Sequence, residues 1–314
     1  MQRTNNIFFR VALMAFFWSG LSLWGQETGA SIIVLGTVQD AGSPHVGCEK
    51  SCCSSLFETP DTTRKVVSLG LYNSAQGKTY LFDATPDLPE QLRMLRTKSA
   101  VPHEVPDGIF LTHAHIGHYS GLMYFGREAL GAKGAPVYAM PKMAAFLTNN
   151  GPWDQLVKLG NIALRPLRNE TTVSLGPGLE VTPFLVPHRD EYSETVGFKI
   201  SGPNKTALFI PDIDKWGKWD KQIIAEIAKV DFAFLDATFY DGEEINHRDI
   251  SEIPHPFVIE SMALFEQLSP EERAKIHFIH LNHTNPLLDA NSEASRTVRE
   301  KGFQVARFGD RFHL

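Results

Sequence analysis

Three histidines fall within six residues in Leu111-Thr-His-Ala-His-Ile-Gly-His118, immediately after the apolar run Gly108 to Leu111. The pattern of a polar, chemically active side chain closing an apolar run recurs along the chain. His188 ends Leu185-Val-Pro-His188, Asp212 ends Leu208-Phe-Ile-Pro-Asp212, and His283 closes Phe278-Ile-His-Leu-Asn-His283. Buried strands are rigid and their end loops converge, so residues at strand ends are placed to build one site. Two His separated by one residue can aim both rings at one point, and a third, three residues on, reaches a neighbouring point. Neutral imidazole is a good ligand for Zn²⁺, at about 2.0–2.1 Å. Further ligands must come from distant strands, for which His188, Asp212 and His283 are available. A carboxylate between two cations offsets their repulsion, and Asp212 is read in that role.

The elements around these residues alternate. Strands are predicted at Ser31–Val38, Val66–Tyr72, Thr79–Phe82, Gly108–Leu111, Val137–Met140, Ile162–Leu167, Leu179–Val186, Val196–Ser201, Ala207–Ile210, Phe232–Leu235 and Ile276–Ile279. Helices are predicted at Asp87–Leu95, Leu122–Leu130, Lys142–Thr148, Trp219–Lys229, Phe257–Leu268 and Ser292–Lys301, the last stopped by Gly302. Gln39 to Thr63, rich in Gly, Pro and Ser, reads as a long ordered loop. This order suggests layered sheets flanked by helices.

Composition narrows the function classes. The 314 residues are 43% apolar and 21% charged, an ordinary globular balance that excludes a disordered or collagen-like chain. The net charge of −6 gives no bulk electrostatic case for nucleic-acid binding, so a small-molecule substrate is expected. Arg3 and Arg10 precede an apolar run, Val11 to Trp24, that is shorter than the roughly 20 residues of a membrane span. Residues 1–25 therefore read as a secretory signal and 26–314 as a single domain, periplasmic or secreted, with no stable membrane anchor. The oligomeric state is not readable.

The histidine and aspartate pattern resembles the metallo-β-lactamase superfamily, whose signature is His-x-His-x-Asp-His after a strand, then a distant His, an Asp and a last His. His113, His115, His118, His188, Asp212 and His283 match in that order. The resemblance implies an α/β fold, an αββα sandwich of two mixed sheets flanked by helices, with metals at the sheet edges. It implies that His113, His115 and His188 hold one metal and that His118, Asp212 and His283 hold a second, with Asp212 bridging. The motif's Asp is Gly117 in this chain. A weaker second metal, a single metal, or another carboxylate such as Asp214 would follow from that departure. Asp83 resembles the family's Asp that steadies the His turn.

Within the superfamily, Val186 to Gly197, Pro211 to Trp216 and His283 to Leu288 are similar to the branch of pyrroloquinoline quinone synthesis protein B and its phosphodiesterase relatives. Leu235-Asp-Ala-Thr-Phe239 resembles the Glu-Ala-Thr-Phe box of the tRNA-processing nucleases of this fold. That likeness implies Asp236 and His255 as a proton-donating pair.

Cys48, Cys52 and Cys53 lie in one short stretch with His45 nearby. Thiolate and imidazole suit a tetrahedral structural zinc, as some relatives carry on a Cys-rich loop in the same place. One disulfide with an odd thiol, or plain core cysteines, are the rival readings; a disulfide between adjacent Cys52 and Cys53 would be strained. Trp153, Trp216 and Trp219 are read first as core aromatics, with the lining of a substrate cleft as the alternative, and His280 is read as structural or as serving the cysteine loop.

The function expected from these features is that of a metallohydrolase. It would use metal-activated hydroxide on a small phosphodiester, lactone or related ester, with one or two Zn²⁺, iron or manganese being possible. The alternative is an iron-dependent oxidoreductase resembling the quinone-cofactor synthesis protein, with His113, His115 and His188 around Fe(II).

Overall fold

The computed structural model describes residues 29–245 and 249–314. The signal reading of residues 1–25 and the position of His247 lie outside the described residues. Among the described residues no helix is long and apolar enough to cross a membrane.

Fourteen strands form two sheets among the described residues. In chain order they are β1 (Ala30–Gly36), β2 (Ser68–Asn73), β3 (Lys78–Phe82), β4 (Gly108–Phe110), β5 (Ala135–Ala139), β6 (Ile162–Pro166), β7 (Val173–Gly176), β8 (Leu179–Leu185), β9 (Val196–Ser201), β10 (Thr206–Ile210), β11 (Phe232–Asp236), β12 (Ile276–Ile279), β13 (Gln304–Val305) and β14 (Arg311–His313). One sheet runs β14-β1-β2-β3-β4-β5-β6 and the other β13-β12-β11-β10-β9-β8-β7. Both are mixed. Strands β3 to β6 run parallel to one another, and so do β10 to β13, whereas β2–β3 and β9–β10 are antiparallel. A parallel run carries all its C-terminal ends to one edge, and in such sheets that edge is where sites form.

The helices are α1 (Ser51–Glu58), α2 (Leu88–Ser99), α3 (Ile116–Tyr119), α4 (Pro141–Asn149), α5 (Trp153–Lys158), α6 (Ile223–Ile227), α7 (Val258–Phe265), α8 (Pro270–Arg273) and α9 (Glu293–Glu300). Three apolar layers hold them. Ile32, Val34, Phe82 and Phe110 face Phe198, Phe209 and Phe234 between the sheets. Leu88 and Leu95 of α2, Met143 of α4 and Leu156 of α5 cover the outer face of the first sheet. Ile223 of α6, Val258 and Phe265 of α7 and Val298 of α9 cover that of the second. The fold is therefore an αββα sandwich. Burial on both faces explains why the central strands read as unbroken apolar runs.

Local chemistry sets several boundaries. Ser292 caps α9 by accepting from the Ser295 amide at 3.0 Å, and Gly302 ends the segment at φ +88°. Asp87 precedes α2 but does not cap it; its Oδ2 accepts from the Val66 amide at 2.8 Å instead. Other stretches depart from the sequence-based expectation. The loop Gln39 to Thr63 contains α1, which begins at Ser51, just before the second cysteine. The helix expected over Leu122 to Leu130 is a 3-10 turn, Ser120–Phe125, closed before Gly126. Trp216 and Trp219 are core residues of the second sheet's outer layer, not cleft residues: their indole N–H groups donate to Ser261 Oγ and to the Leu185 carbonyl, both at 2.9 Å. Trp153 packs edge-on against Tyr119 at 4.9 Å.

Candidate metal centre

The His turn leaves β4 and is fixed from two sides. Asp83, just past β3, accepts from the Thr112 amide through Oδ1 at 2.8 Å and from His118 Nδ1 through Oδ2 at 2.7 Å. The Ala114 amide donates to Ser193 Oγ at 2.8 Å. Asp83 is fully buried and sits at φ +65°, in the left-handed region that Asp tolerates better than most residues. Its bond to Nδ1 points the other nitrogen of His118 into the site.

His113, His115, His188 and Asp212 converge. Their candidate donor atoms lie within 4.8 Å of one another. His188 lies beyond the end of β8 and Asp212 beyond the end of β10, both in the second sheet, while His113 and His115 follow β4 of the first, so two sheets contribute. Asp212 Oδ2 is 3.3 Å from His113 Nε2 and 3.8 Å from His115 Nδ1, and its Oδ1 is 3.2 Å from His188 Nε2. His113 Nε2, His115 Nδ1, His188 Nε2 and Asp212 Oδ1 are all buried without a hydrogen-bond partner. A buried polar atom left unpaired costs about 1–3 kcal/mol, so four around one point are an unmet demand. Three imidazoles and a carboxylate are a donor set suited to a divalent metal ion. Burial, with His118 alongside, holds the pKa of His113 well below the ordinary histidine value, so this ring keeps a free lone pair. Asp214 completes the support of His188, standing 3.3 Å from its Nδ1.

Asp212 also borders a second group. Asp40, His118, Asp212 and His280 place one donor atom each within 4.8 Å of the others. Asp40 Oδ1 lies 2.9 Å from His118 Nε2 and 3.3 Å from His280 Nε2. Burial raises the Asp40 pKa, but His118 and His280 more than offset that and hold it well below the ordinary carboxylate value. Burial lowers the pKa of His118, and the Asp40 and Asp83 carboxylates reverse this, leaving it well above the usual value. His280 follows the same pattern: burial opposes protonation, Asp212, Asp236 and Asp40 favour it, and its pKa is pushed up to about 10.

This geometry corrects the sequence reading of His283. The residue beside His118 and Asp212 is His280, immediately past β12, fully buried and at φ +66°. His283 lies one turn further on, with the cysteines, so the expected roles of these two histidines are exchanged. Cys48, Cys52, Cys53 and His283 form a further convergent group, again within 4.8 Å. All three cysteines are free. Cys48 Sγ and Cys53 Sγ each lie 3.9 Å from Cys52 Sγ, close to the about 3.8 Å edge of a tetrahedron with 2.3 Å zinc–sulfur arms. His283 Nδ1 is held by Asn282 Oδ1 at 3.0 Å. Burial, with His45 and Lys50 adding to it, pushes the His283 pKa down to about 4 and leaves the ring neutral. His45 is not among the convergent donors. Its ring packs on His283 at 4.3 Å and its Nδ1 pairs with the Val46 carbonyl.

Asp236 and His255 are brought together. Asp236, the last residue of β11, accepts from His255 Nδ1 through Oδ2 at 2.8 Å. Its Oδ1 accepts from the Thr238 amide and hydroxyl at 2.9 and 2.7 Å. His255 Nδ1 is also 3.2 Å from Asp212 Oδ1, so the pair borders the same centre.

Sequence reasoning missed Asp40 and His280. Both follow apolar strand runs, which was the signal used for the other residues.

Comparison with known proteins bears on the family and the fold. A model of the β-lactamase superfamily domain matches residues 78–278. Coenzyme PQQ synthesis protein B of Methylorubrum extorquens (strain PA1) is 26% identical over 306 residues, spanning 88% of this chain and 98% of its own length. Among solved structures, Zn(2+)-bound PqqB from Methylobacterium extorquens superposes with a TM-score of 0.73 at 23% identity, over 90% of this chain and all of that one. A diphosphatase from the PhnP family gives a TM-score of 0.63 at 23% identity, over 91% of this chain and 97% of that one. With the family model spanning more than half of its length, and the strand-end histidines gathered on both sides of Asp212, the chain belongs to the β-lactamase superfamily.

Proposed function

We propose that this protein is a metal-dependent hydrolase of a small phosphodiester, lactone or related ester. The observation that carries the reading is the set of four buried, unpartnered donor atoms on His113, His115, His188 and Asp212. His118 and His280 flank a second position, where Asp212 Oδ2 lies 3.9 Å from the Nε2 of each. Zinc suits the imidazole-rich first position by its own chemistry. The likeness to Zn(2+)-bound PqqB supports the metal, and the likeness to a PhnP-family diphosphatase supports hydrolysis at phosphorus.

Divalent ions at such positions supply Lewis acidity and a strong nucleophile at neutral pH. The chain's own residues do the rest. Asp83 and Asp214 orient the rings of His118 and His188 through Nδ1. Asp236 holds His255 by Nδ1, which leaves His255 Nε2 to give a proton to the leaving group. Acidic net charge favours small substrates over long polyanions. Cys48, Cys52, Cys53 and His283 are assigned a structural zinc that pins the loop after β1. The oxidoreductase alternative, with His113, His115 and His188 around Fe(II), shares the likeness to PqqB; Asp40 beside Gly117 favours a second cation position over a single-metal site.

The test is turnover of bis-p-nitrophenyl phosphate and of simple lactones by the zinc-loaded and the chelator-treated chain. The reading requires turnover that is lost with the metal and restored by it. Metal-loaded protein that hydrolyses none of these esters contradicts it.

A further inference from the structure

Gly117 occupies the place where the family's His-x-His-x-Asp-His motif has its carboxylate, and its backbone does not explain the glycine. It is absent from the left-handed residues of the chain, so φ imposes no requirement for glycine. The reason is space. A Cβ at 117 would lie 2.5 Å from Asp40 Cα and 2.7 Å from Asp40 Oδ1. Heavy atoms do not approach so closely, so a side chain at 117 and Asp40 in its present position exclude each other.

Asp40 reaches this place from the loop after β1. That loop is tied to the strand that delivers His280: the Gln39 amide donates to the Leu281 carbonyl at 2.9 Å, and the Leu281 amide to the Thr37 carbonyl at 2.7 Å. The Asp40 side chain is only 13% exposed. Asp83 accepts from the Thr112 amide as well as facing His118 Nδ1 at 2.7 Å, so His118 Nδ1 is the donor in their contact. His118 Nε2 therefore meets the acceptor Asp40 Oδ1 across 2.9 Å with either a proton or a cation between them.

We propose that the motif carboxylate has been relocated in this chain, and that Asp40 is a ligand of the second cation position together with His118, Asp212 and His280. The glycine at 117 is then the room made for Asp40 and not a lost ligand. The site keeps the carboxylate count of a two-metal centre, supplied by the loop that also carries the cysteine cluster. This inference rests on the metal-dependent reading above.

The experiment uses the full chain with Mn²⁺, whose hard character keeps it off the cysteine cluster. Binding is followed by elemental analysis and by electron paramagnetic resonance, which separates a coupled Mn²⁺ pair from single ions. The wild type is expected to bind two coupled ions. Asp40→Asn and Asp40→Ala are expected to keep the first ion and weaken the second by more than about 100-fold, beyond the about 10–100-fold that losing an outer partner costs. Asp40→Gly combined with Gly117→Asp, which returns the carboxylate to the turn, is expected to restore the coupled pair. Asp40→Asn preserves the side-chain shape and serves if Asp40→Ala does not fold. A coupled pair kept in Asp40→Asn, with affinity down 100-fold or less, overturns the proposal and leaves the metal reading intact. A wild-type chain that binds no Mn²⁺ at this centre overturns both.

Discussion

His280 and His283 leave the same strand three residues apart and serve different clusters. His280 Nε2 lies 3.3 Å from Asp40 Oδ1 at the centre shared with Asp212, whereas the His283 ring lies among Cys48, Cys52 and Cys53. The two alanine variants should therefore separate. His280→Ala is expected to lose one catalytic-centre metal and at least about 100-fold in kcat/KM, nearly 3 kcal/mol of transition-state stabilisation. His283→Ala is expected to lower Tm and release zinc from the cysteine loop, with kcat/KM per folded molecule changed far less. Zinc content, Tm and kcat/KM measured together on both variants distinguish these outcomes.

Asp83 holds the His turn through Thr112 and His118 and touches neither metal position directly. Asp83→Asn keeps the shape but weakens the hold on His118 Nδ1. Metal affinity at the second position is expected to fall about 10–100-fold, with the first position affected less. Competition with a chromogenic chelator reads both constants.

Asp236 and His255 are expected to act on the leaving group. His255→Gln should lower kcat by about 10²–10⁴-fold for esters with alkoxide leaving groups. The loss should shrink for p-nitrophenolate, which needs no proton to depart. Equal losses for both leaving groups, or loss of metal from the variant, would remove the proton-donor role.

His277, on β12 but outside every cluster, packs against Phe234 and Phe312 at ring separations of 5.4 and 4.7 Å. Burial pushes its pKa down to about 4. The unfolded chain, with a histidine pKa near 6.5, takes up this proton first, so the contribution to stability falls as pH drops from about 6.5 towards 4. Between pH 7 and pH 5 the loss from this residue is about 2 kcal/mol. His277→Phe should remove that part of the acid sensitivity. Urea denaturation of both proteins at the two pH values gives the difference directly.

The strands that carry the site were legible because each is an apolar run stopped by a polar residue. Burial on both faces produces the run, and the site at the strand ends stops it. His113, His115, His188 and Asp212 could be read in this way. Asp40 could not, because the family motif has its carboxylate within the His turn, whereas this one arrives from 77 residues earlier in the chain. Its signal was an acid just past the strand Ser31–Val38, beside a glycine where an acid was due. His280 was missed because order along the chain favours the last histidine, whereas geometry favours the one at the strand end. Helix α1 lay hidden in the cysteine stretch, whose residues carry little apolar periodicity.

The account stands on cations seated between the two sheet edges, and anomalous X-ray scattering from crystals of the zinc-loaded chain tests this most directly. An anomalous peak about 2.0–2.1 Å from His113 Nε2, His115 Nδ1 and His188 Nε2 is expected, with a second peak between Asp212, His118 and His280. Crystals grown with excess zinc that show no anomalous peak among these side chains would contradict it.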